Sequence, residues 1–173
     1  MPDMLYDHAA ISQALDHLAT AIAQESAGTI SLIGIQRGGS VVADALQARL
    51  EQAGMQVDRG NLDISFYRDD LDTIGPHPEV HPSHIPYDIN GKTLWLVDDV
   101  LYTGRTIRAA LGEIFDYGRP WSVRLAVLLD RGGRELPINA DAVGLHHEAP
   151  EGISVKLMHQ GSEWRIIQQR VQS

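Results

Sequence analysis

Apolar positions along the chain switch between two periods. Ile11, Leu15, Leu18 and Ile22 recur every three or four residues, which predicts a helix over about 6–24. GTISLIGI (28–35) is a short apolar run behind a glycine and reads as a strand. After Gly38 and Gly39, the residues Val42, Ala45, Leu46 and Leu50 form one stripe, so a helix is expected over 40–53, stopped by Gly54. LDISFYRDD (62–70) alternates as a strand does. Over 71–90 both periods disappear. Pro76, Pro78, Pro82 and Pro86 exclude regular elements there and predict a long loop, of the kind that often serves as a lid.

KTLWLV (92–97) ends in a continuous apolar run, the pattern of a strand covered on both faces. A helix opens at Thr103 or Gly104, carries Ile107, Ala110, Leu111, Ile114 and Phe115, and closes at Gly118 and Pro120. VRLAVLLD (123–130) is a further buried strand and ADAVGL (140–145) a short one. Strands near 153–158 and 164–167 flank a turn at Gly161. This alternation predicts an α/β fold with a mostly parallel central sheet and right-handed crossovers. Ligands of such sheets sit beyond the carboxyl ends of the strands.

Composition narrows the class. The 173 residues are enough for one domain with a real core, and neither repeats nor low-complexity tracts divide them. The chain has no cysteine, so disulfides, thiolate metal sites and thiol nucleophiles are excluded. It opens without a basic, apolar leader and holds no run near the roughly 18 apolar residues of a membrane span, so a soluble cytoplasmic protein is expected. The net charge of −9 argues against a generally cationic surface that coats nucleic acid.

The chemistry concentrates in LWLVDDVLYTGRTIRAA (94–110). A helix N-terminus presents unpaired amides and a partial positive charge, which together cradle phosphate. Tyr102-Thr103-Gly104-Arg105-Thr106 supplies those amides, two hydroxyls, a guanidinium and a glycine that permits close approach. Asp98 and Asp99 would repel a phosphate unless they face something else. The vicinal hydroxyls of a sugar are one partner and a divalent cation is another. Because side chains alternate along a strand, either the strand ends by Asp98 or only one carboxylate meets the ligand. A 5-phosphorylated ribose suits both halves. Neither a P-loop nor a dinucleotide fingerprint is present. Taken singly, Asp98 and Asp99 could merely end a strand and Thr103 merely cap a helix; the ten-residue combination behind an apolar strand is much rarer.

Val97-Asp98-Asp99-Val100-Leu101-Tyr102-Thr103-Gly104-Arg105-Thr106 resembles the phosphoribosyl-pyrophosphate (PRPP) motif of the type I phosphoribosyltransferases. With Leu-Tyr inside the motif, it is most similar to the PyrR family of pyrimidine-operon regulators, which are also uracil phosphoribosyltransferases. DISFYRDDL (63–71), IPYDINGK (85–92) and YGRPWSVRLAVLLDRGGRELPINAD (117–141) extend the resemblance over about 30–144. It implies a single type I phosphoribosyltransferase domain over 1–173, with a small hood built from the termini and a flexible loop over about 70–90. The reaction it implies is uracil plus PRPP giving UMP and diphosphate, with Mg²⁺ carried by PRPP rather than by a protein cage. Asp98 and Asp99 would hold the ribose hydroxyls, and Thr103, Gly104, Arg105 and Thr106 the 5-phosphate. Gln36, Arg37, Gly38 and Gly39 would form the pyrophosphate loop, where the family commonly has Lys-Thr-Arg-Gly; the change leaves Arg37 as either a ligand or a solvated charge. Arg68 becomes a lid contact or an ion-pair partner of Asp69 or Asp70. Asp130, Arg131 and Arg134 become candidate contacts to the base. Many relatives carry His where Gly133 stands. The resemblance also implies a homodimer or higher homo-oligomer, UMP or UTP as effector, and the mRNA leader of a pyrimidine operon as partner.

Two further features have competing readings. His77, His81 and His84 crowd the proline-rich loop and His146-His147 another segment; solvent-exposed loop histidines explain them better than a zinc site, since prolines remove any rigid ligand spacing. RNA binding needs clustered cations, and the chain has 14 Lys and Arg against 23 acids. Arg124, Arg131, Arg134, Lys156, Arg165 and Arg170 are scattered in sequence, and Trp121 and Trp164 serve either base stacking or packing. The alternative to the enzyme is a weakly catalytic or non-catalytic nucleotide sensor that binds operon mRNA or a protein partner.

Overall fold

A computed structural model describes residues 1–64 and 83–172. In chain order the elements are β1 (Asp3–Tyr6), α1 (His8–Gln24), β2 (Ile30–Ile35), α2 (Gly38–Gln52), β3 (Val57–Leu62), β4 (Thr93–Leu101), α3 (Arg105–Tyr117), β5 (Ser122–Asp130), β6 (Ala142–His146), β7 (Ile153–Gln160) and β8 (Glu163–Arg170). Five of the strands form one sheet in the order β3-β2-β4-β5-β6, with every neighbouring pair parallel. β1, β8 and β7 form a separate antiparallel sheet drawn from the two ends of the described chain.

Strand alternation divides the core into two layers. On one side Ile30, Leu32, Trp95 and Val97 pack with Leu15, Leu18 and Ile22 of α1 and Val42, Leu46 and Leu50 of α2. On the other, Ile33, Ile35, Leu94 and Leu96 pack with Ile107, Ala110 and Ile114 of α3. Helices on both faces explain why the central strands lack polar alternation. Val155, Trp164 and Ile166 join the first layer, which fastens the small sheet to the body.

Most elements fall where the periodicity places them; three departures are informative. β1 is not signalled in the sequence: four residues carry little pattern, and the strand exists because β8 pairs with it. Asp7 then caps α1, its carboxylate accepting from the Ala10 amide at 2.9 Å. β3, VDRGNL, is a strand that the sequence pattern did not signal, and it ends at Leu62; the strand expected over 62–70 lies mostly outside the described residues. The polar residues of β3 are tolerated because, among the described residues, it is an edge strand of the sheet, paired with β2 and bridged on its other side at Asn61 by His84. Residues 65–82, including Arg68, His77 and His81 and most of the expected lid, lie outside the described residues. The strand expected to finish near Val97 runs on to Leu101, so both Asp98 and Asp99 are strand residues.

Candidate functional site

The site forms where the carboxyl ends of β2 and β4 meet the amino ends of α2 and α3. β2 ends at Ile35, and the Gln36 amide is held by the Leu62 carbonyl at 2.8 Å, which fixes the start of the loop. The Gln36–Arg37 peptide bond is cis. Gly38 then opens α2, and Arg37 at its cap is exposed. α2 therefore begins two residues earlier than the apolar stripe suggests, which puts the two glycines on a helix N-terminus.

These glycines abut the acid pair. A Cβ on Gly38 would stand 2.0 Å from Asp99 Oδ2, and one on Gly39 would stand 2.4 Å from the Val97 carbonyl and 3.2 Å from Asp98 Oδ1. No other residue type permits this approach of loop to strand. Asp98 is 1% exposed and Asp99 half-buried, so Asp99 is the more open carboxylate. Asp98 Oδ1 accepts from the Asp99 amide and Asp99 Oδ1 from the Val100 amide, both at 2.9 Å, which holds each carboxylate against its own backbone. Alternation along β4 thus separates the two acids by depth, while both stay beside the mouth of the α2 loop.

The second helix start lies across the acids. Gly104 caps α3 at φ +94°, a conformation that favours glycine, and a Cβ there would approach Ile138 at 3.2 Å. Thr103 and Thr106 are buried, and the Thr103 hydroxyl accepts from the Arg105 amide at 3.1 Å. The outer side of this turn is strapped by 131–138. The Thr103 carbonyl accepts from the Glu135 and Leu136 amides at 2.9 and 3.1 Å, and Arg105 pairs with Glu135 at 2.9 Å. Glu135 is a positioning group that the sequence reading missed. Its opposite charge to Arg105 was the available signal, but the 30-residue separation hid the pairing.

The candidate base contacts turn inward. Asp130 pairs with Arg134 at 2.5 Å. Burial pushes the Asp130 carboxyl up, but the Arg134 hydrogen bond, the Gly132 amide and the charges of Arg134 and His146 outweigh it, and the net shift is downward. Arg134 also donates to the Ile138 carbonyl at 2.7 Å and the Tyr102 carbonyl at 2.8 Å. Arg131 is buried against the Tyr102 ring. A cleft does open beside them, with Asp130, Arg134, His146, His147 and Glu148 around Gly132 and Gly133. Among the described residues, no group of three or more His, Asp or Glu side chains is placed to hold a metal ion.

Of the scattered cations, Arg124 pairs with Glu25 at 2.7 Å, while Arg131 and Arg134 are held as described. Lys156, Arg165 and Arg170 all fall on the β7–β8 hairpin. Trp164 is buried in the core and Trp121 is 82% exposed. No helix among the described residues is long and apolar enough to cross a membrane.

An acid pair between two amide-rich helix starts invites comparison with known proteins. The phosphoribosyl transferase domain model matches residues 1–161. The curated relatives include Bifunctional protein PyrR of Roseiflexus sp. (strain RS-1), 53% identical over 137 residues, covering 78% of this chain and 75% of the relative. The protein of the same name from Listeria welshimeri is 48% identical, covering 89% and 88%. That from Pelotomaculum thermopropionicum is 44% identical, covering 94% and 93%. Among solved structures, the hypoxanthine phosphoribosyltransferase of Trypanosoma cruzi superposes with a TM-score of 0.70 at 17% identity, covering 95% of both chains. A hypoxanthine-guanine phosphoribosyltransferase of Bacillus anthracis gives 0.68 at 22%, covering 87% of this chain and 85% of that one. The sheet order, the acid pair at the end of its middle strand and these matches converge: the chain belongs to the phosphoribosyltransferase family, and within it to the PyrR proteins.

Proposed function

We propose that the protein transfers the phosphoribosyl group of PRPP to uracil, releasing UMP and diphosphate, and that it also regulates pyrimidine biosynthesis genes in response to uridine nucleotides. The observation that supports this most is the Asp98–Asp99 pair set between two helix N-termini, with glycines that let the α2 loop close on it. A substrate that suits this arrangement carries phosphate at both ends and a diol between, which describes PRPP.

The 5-phosphate takes the turn from Thr103 to Thr106, which carries the amides at the start of α3 and the hydroxyls of Thr103 and Thr106. The diphosphate takes the loop that Gln36 begins, through the amides from Arg37 to Gly39 and the exposed Arg37 guanidinium, the Gln36 amide itself being held by the Leu62 carbonyl. Asp99, the more open acid, accepts from the ribose hydroxyls with Asp98 beneath it. The bond from the anomeric carbon to the diphosphate oxygen breaks, a bond to uracil N1 forms, and the N1 proton leaves to solvent. The α2 amides and Arg37 face the charge that grows on the departing oxygen, and Asp98 and Asp99 lie beside the positive charge that grows on the sugar. Mg²⁺ would be carried by PRPP: the diphosphate and ribose oxygens, with the Asp98 and Asp99 carboxylates beside them, suit a hard cation, which would neutralise charge on the leaving group.

For regulation, the β7–β8 hairpin is the cationic element on which an operon mRNA would dock, through Lys156 and Arg165. In the functional assay, protein is mixed with PRPP, Mg²⁺ and, separately, uracil, hypoxanthine, guanine or xanthine. UMP formation that disappears in Asp98→Asn/Asp99→Asn is the expected result. UMP binding without turnover of any base would replace the enzyme with a nucleotide sensor.

A further inference from the structure

Arg131 is a buried cation that joins two parts of the molecule. Its residue exposure is 3%. The guanidinium lies 3.8 Å from the centroid of the Tyr102 ring, a stacking distance for a planar cation. Nη1 donates to the Ile153 carbonyl at 2.6 Å, and Nη2 reaches the Ala149 and Pro150 carbonyls at 3.4 and 3.5 Å. The Arg131 amide donates to the Leu101 carbonyl, and the Ala149 amide to the Arg131 carbonyl, both at 3.1 Å. One residue thus grips Tyr102, which opens the phosphate turn, and the connection from β6 into β7.

Tyr102 has little room to slide out of this grip. The edge of its ring faces Gly133, where a Cβ would stand 2.5 Å from Cε1, and its carbonyl is held by Arg134 at 2.8 Å. Segment 149–152 is irregular backbone leading into β7, and the Arg131 side chain bonds the carbonyls of Ala149 at its start and of Ile153, the first residue of β7. Lysine has neither the flat face for the ring nor the fork for several carbonyls.

We propose that Arg131 is a positioning residue that couples the phosphate turn to the β6–β7 connection, so that a sugar phosphate seated in the turn orders the segment leading into the small sheet. This rests on assigning the turn from Thr103 to Thr106 to the 5-phosphate of PRPP.

Ribose 5-phosphate is the probe, because it fills the turn and carries no base to touch 149–153 directly. Amide hydrogen exchange of the full chain is followed with and without it. The expected result is about tenfold slower exchange at both 101–106 and 149–155 in the wild type. In Arg131→Met, which keeps an apolar stem under the Tyr102 ring, protection persists at 101–106 and disappears at 149–155, and Arg131→Lys does not restore it. Wild-type protection confined to 101–106 would overturn the coupling and leave the turn assignment standing. Absence of protection at 101–106 would overturn the assignment and the coupling with it. The wild-type arm decides the question even where a variant fails to fold.

Discussion

Gly38 and Asp99 stand so close that a single methyl group cannot fit between them: a Cβ on the glycine would lie 2.0 Å from Asp99 Oδ2. The α2 loop and the acid at the end of β4 are therefore one unit, although 61 positions separate them in the chain (99 less 38).

Gly38→Ala and Gly39→Ala separate two consequences of this contact. The Gly38 methyl meets a carboxylate that can rotate, so the expected loss is in PRPP handling, with KM for PRPP raised about tenfold or more for one displaced charge-assisted contact. The Gly39 methyl meets the Val97 carbonyl at 2.4 Å, which is backbone, so β4 or α2 itself must shift. That overpacking is expected to cost about 1–3 kcal/mol. Thermal melts beside steady-state kinetics check both, and a larger melting loss in the Gly38 variant would contradict the assignment.

Asp130 predicts an acid limit to stability. Its folded pKa lies below the unfolded value of about 3.9. Stability from the Asp130–Arg134 pair is therefore fully present above that unfolded value and is lost as pH falls through the lower folded one. Asp130→Asn is expected to lose about 1.5–3 kcal/mol at neutral pH, as befits a hydrogen bond to a charged partner, and to flatten the stability profile below about pH 4. Urea unfolding at a series of pH values measures this; an unchanged acid slope would remove Asp130 from the account.

Tyr87 sets a corresponding limit in alkali. Burial, with the Asp58 charge adding to it, pushes its hydroxyl up to about 12. The folded state thus holds a proton that the unfolded chain releases near 10. The contribution is complete below about pH 10 and fades as pH rises toward 12. In Tyr87→Phe the stability drop over that window should shrink, and the absorbance change of phenolate formation should lose its most alkaline step.

The cationic hairpin carries a prediction for nucleic acid. Lys156→Gln/Arg165→Gln should weaken binding to a pyrimidine-operon leader and reduce the dependence of log affinity on log salt by about 0.7 per cation removed, the value for a single-stranded target. Uracil turnover should be unchanged, since neither residue lies at the β4 end of the sheet. Gel shifts across a salt series test this, and an unaltered slope would move the RNA surface elsewhere.

Local pattern alone determined a large share of the protein. Stripes such as Ile11–Leu15–Leu18–Ile22 and apolar runs such as Leu94–Val97 specify helices and doubly covered strands, because burial on one face or two leaves a periodic mark. The motif from Val97 to Thr106 located the acids and the phosphate turn, since its chemistry is contiguous in the chain. What depends on partners distant in sequence was decided only by the fold. β1 and β3 are strands because β8 and β2 pair with them, against weak or polar local patterns. Asp98 and Asp99 both stay in the strand and differ in depth because β5 carries β4 on to Leu101. Arg131 and Arg134, expected over the base, turn inward because the carbonyls of 149–153, Tyr102 and Ile138 lie within their reach. A cation reads the same in sequence whether water or a buried carbonyl satisfies it, and only packing in three dimensions decides which does.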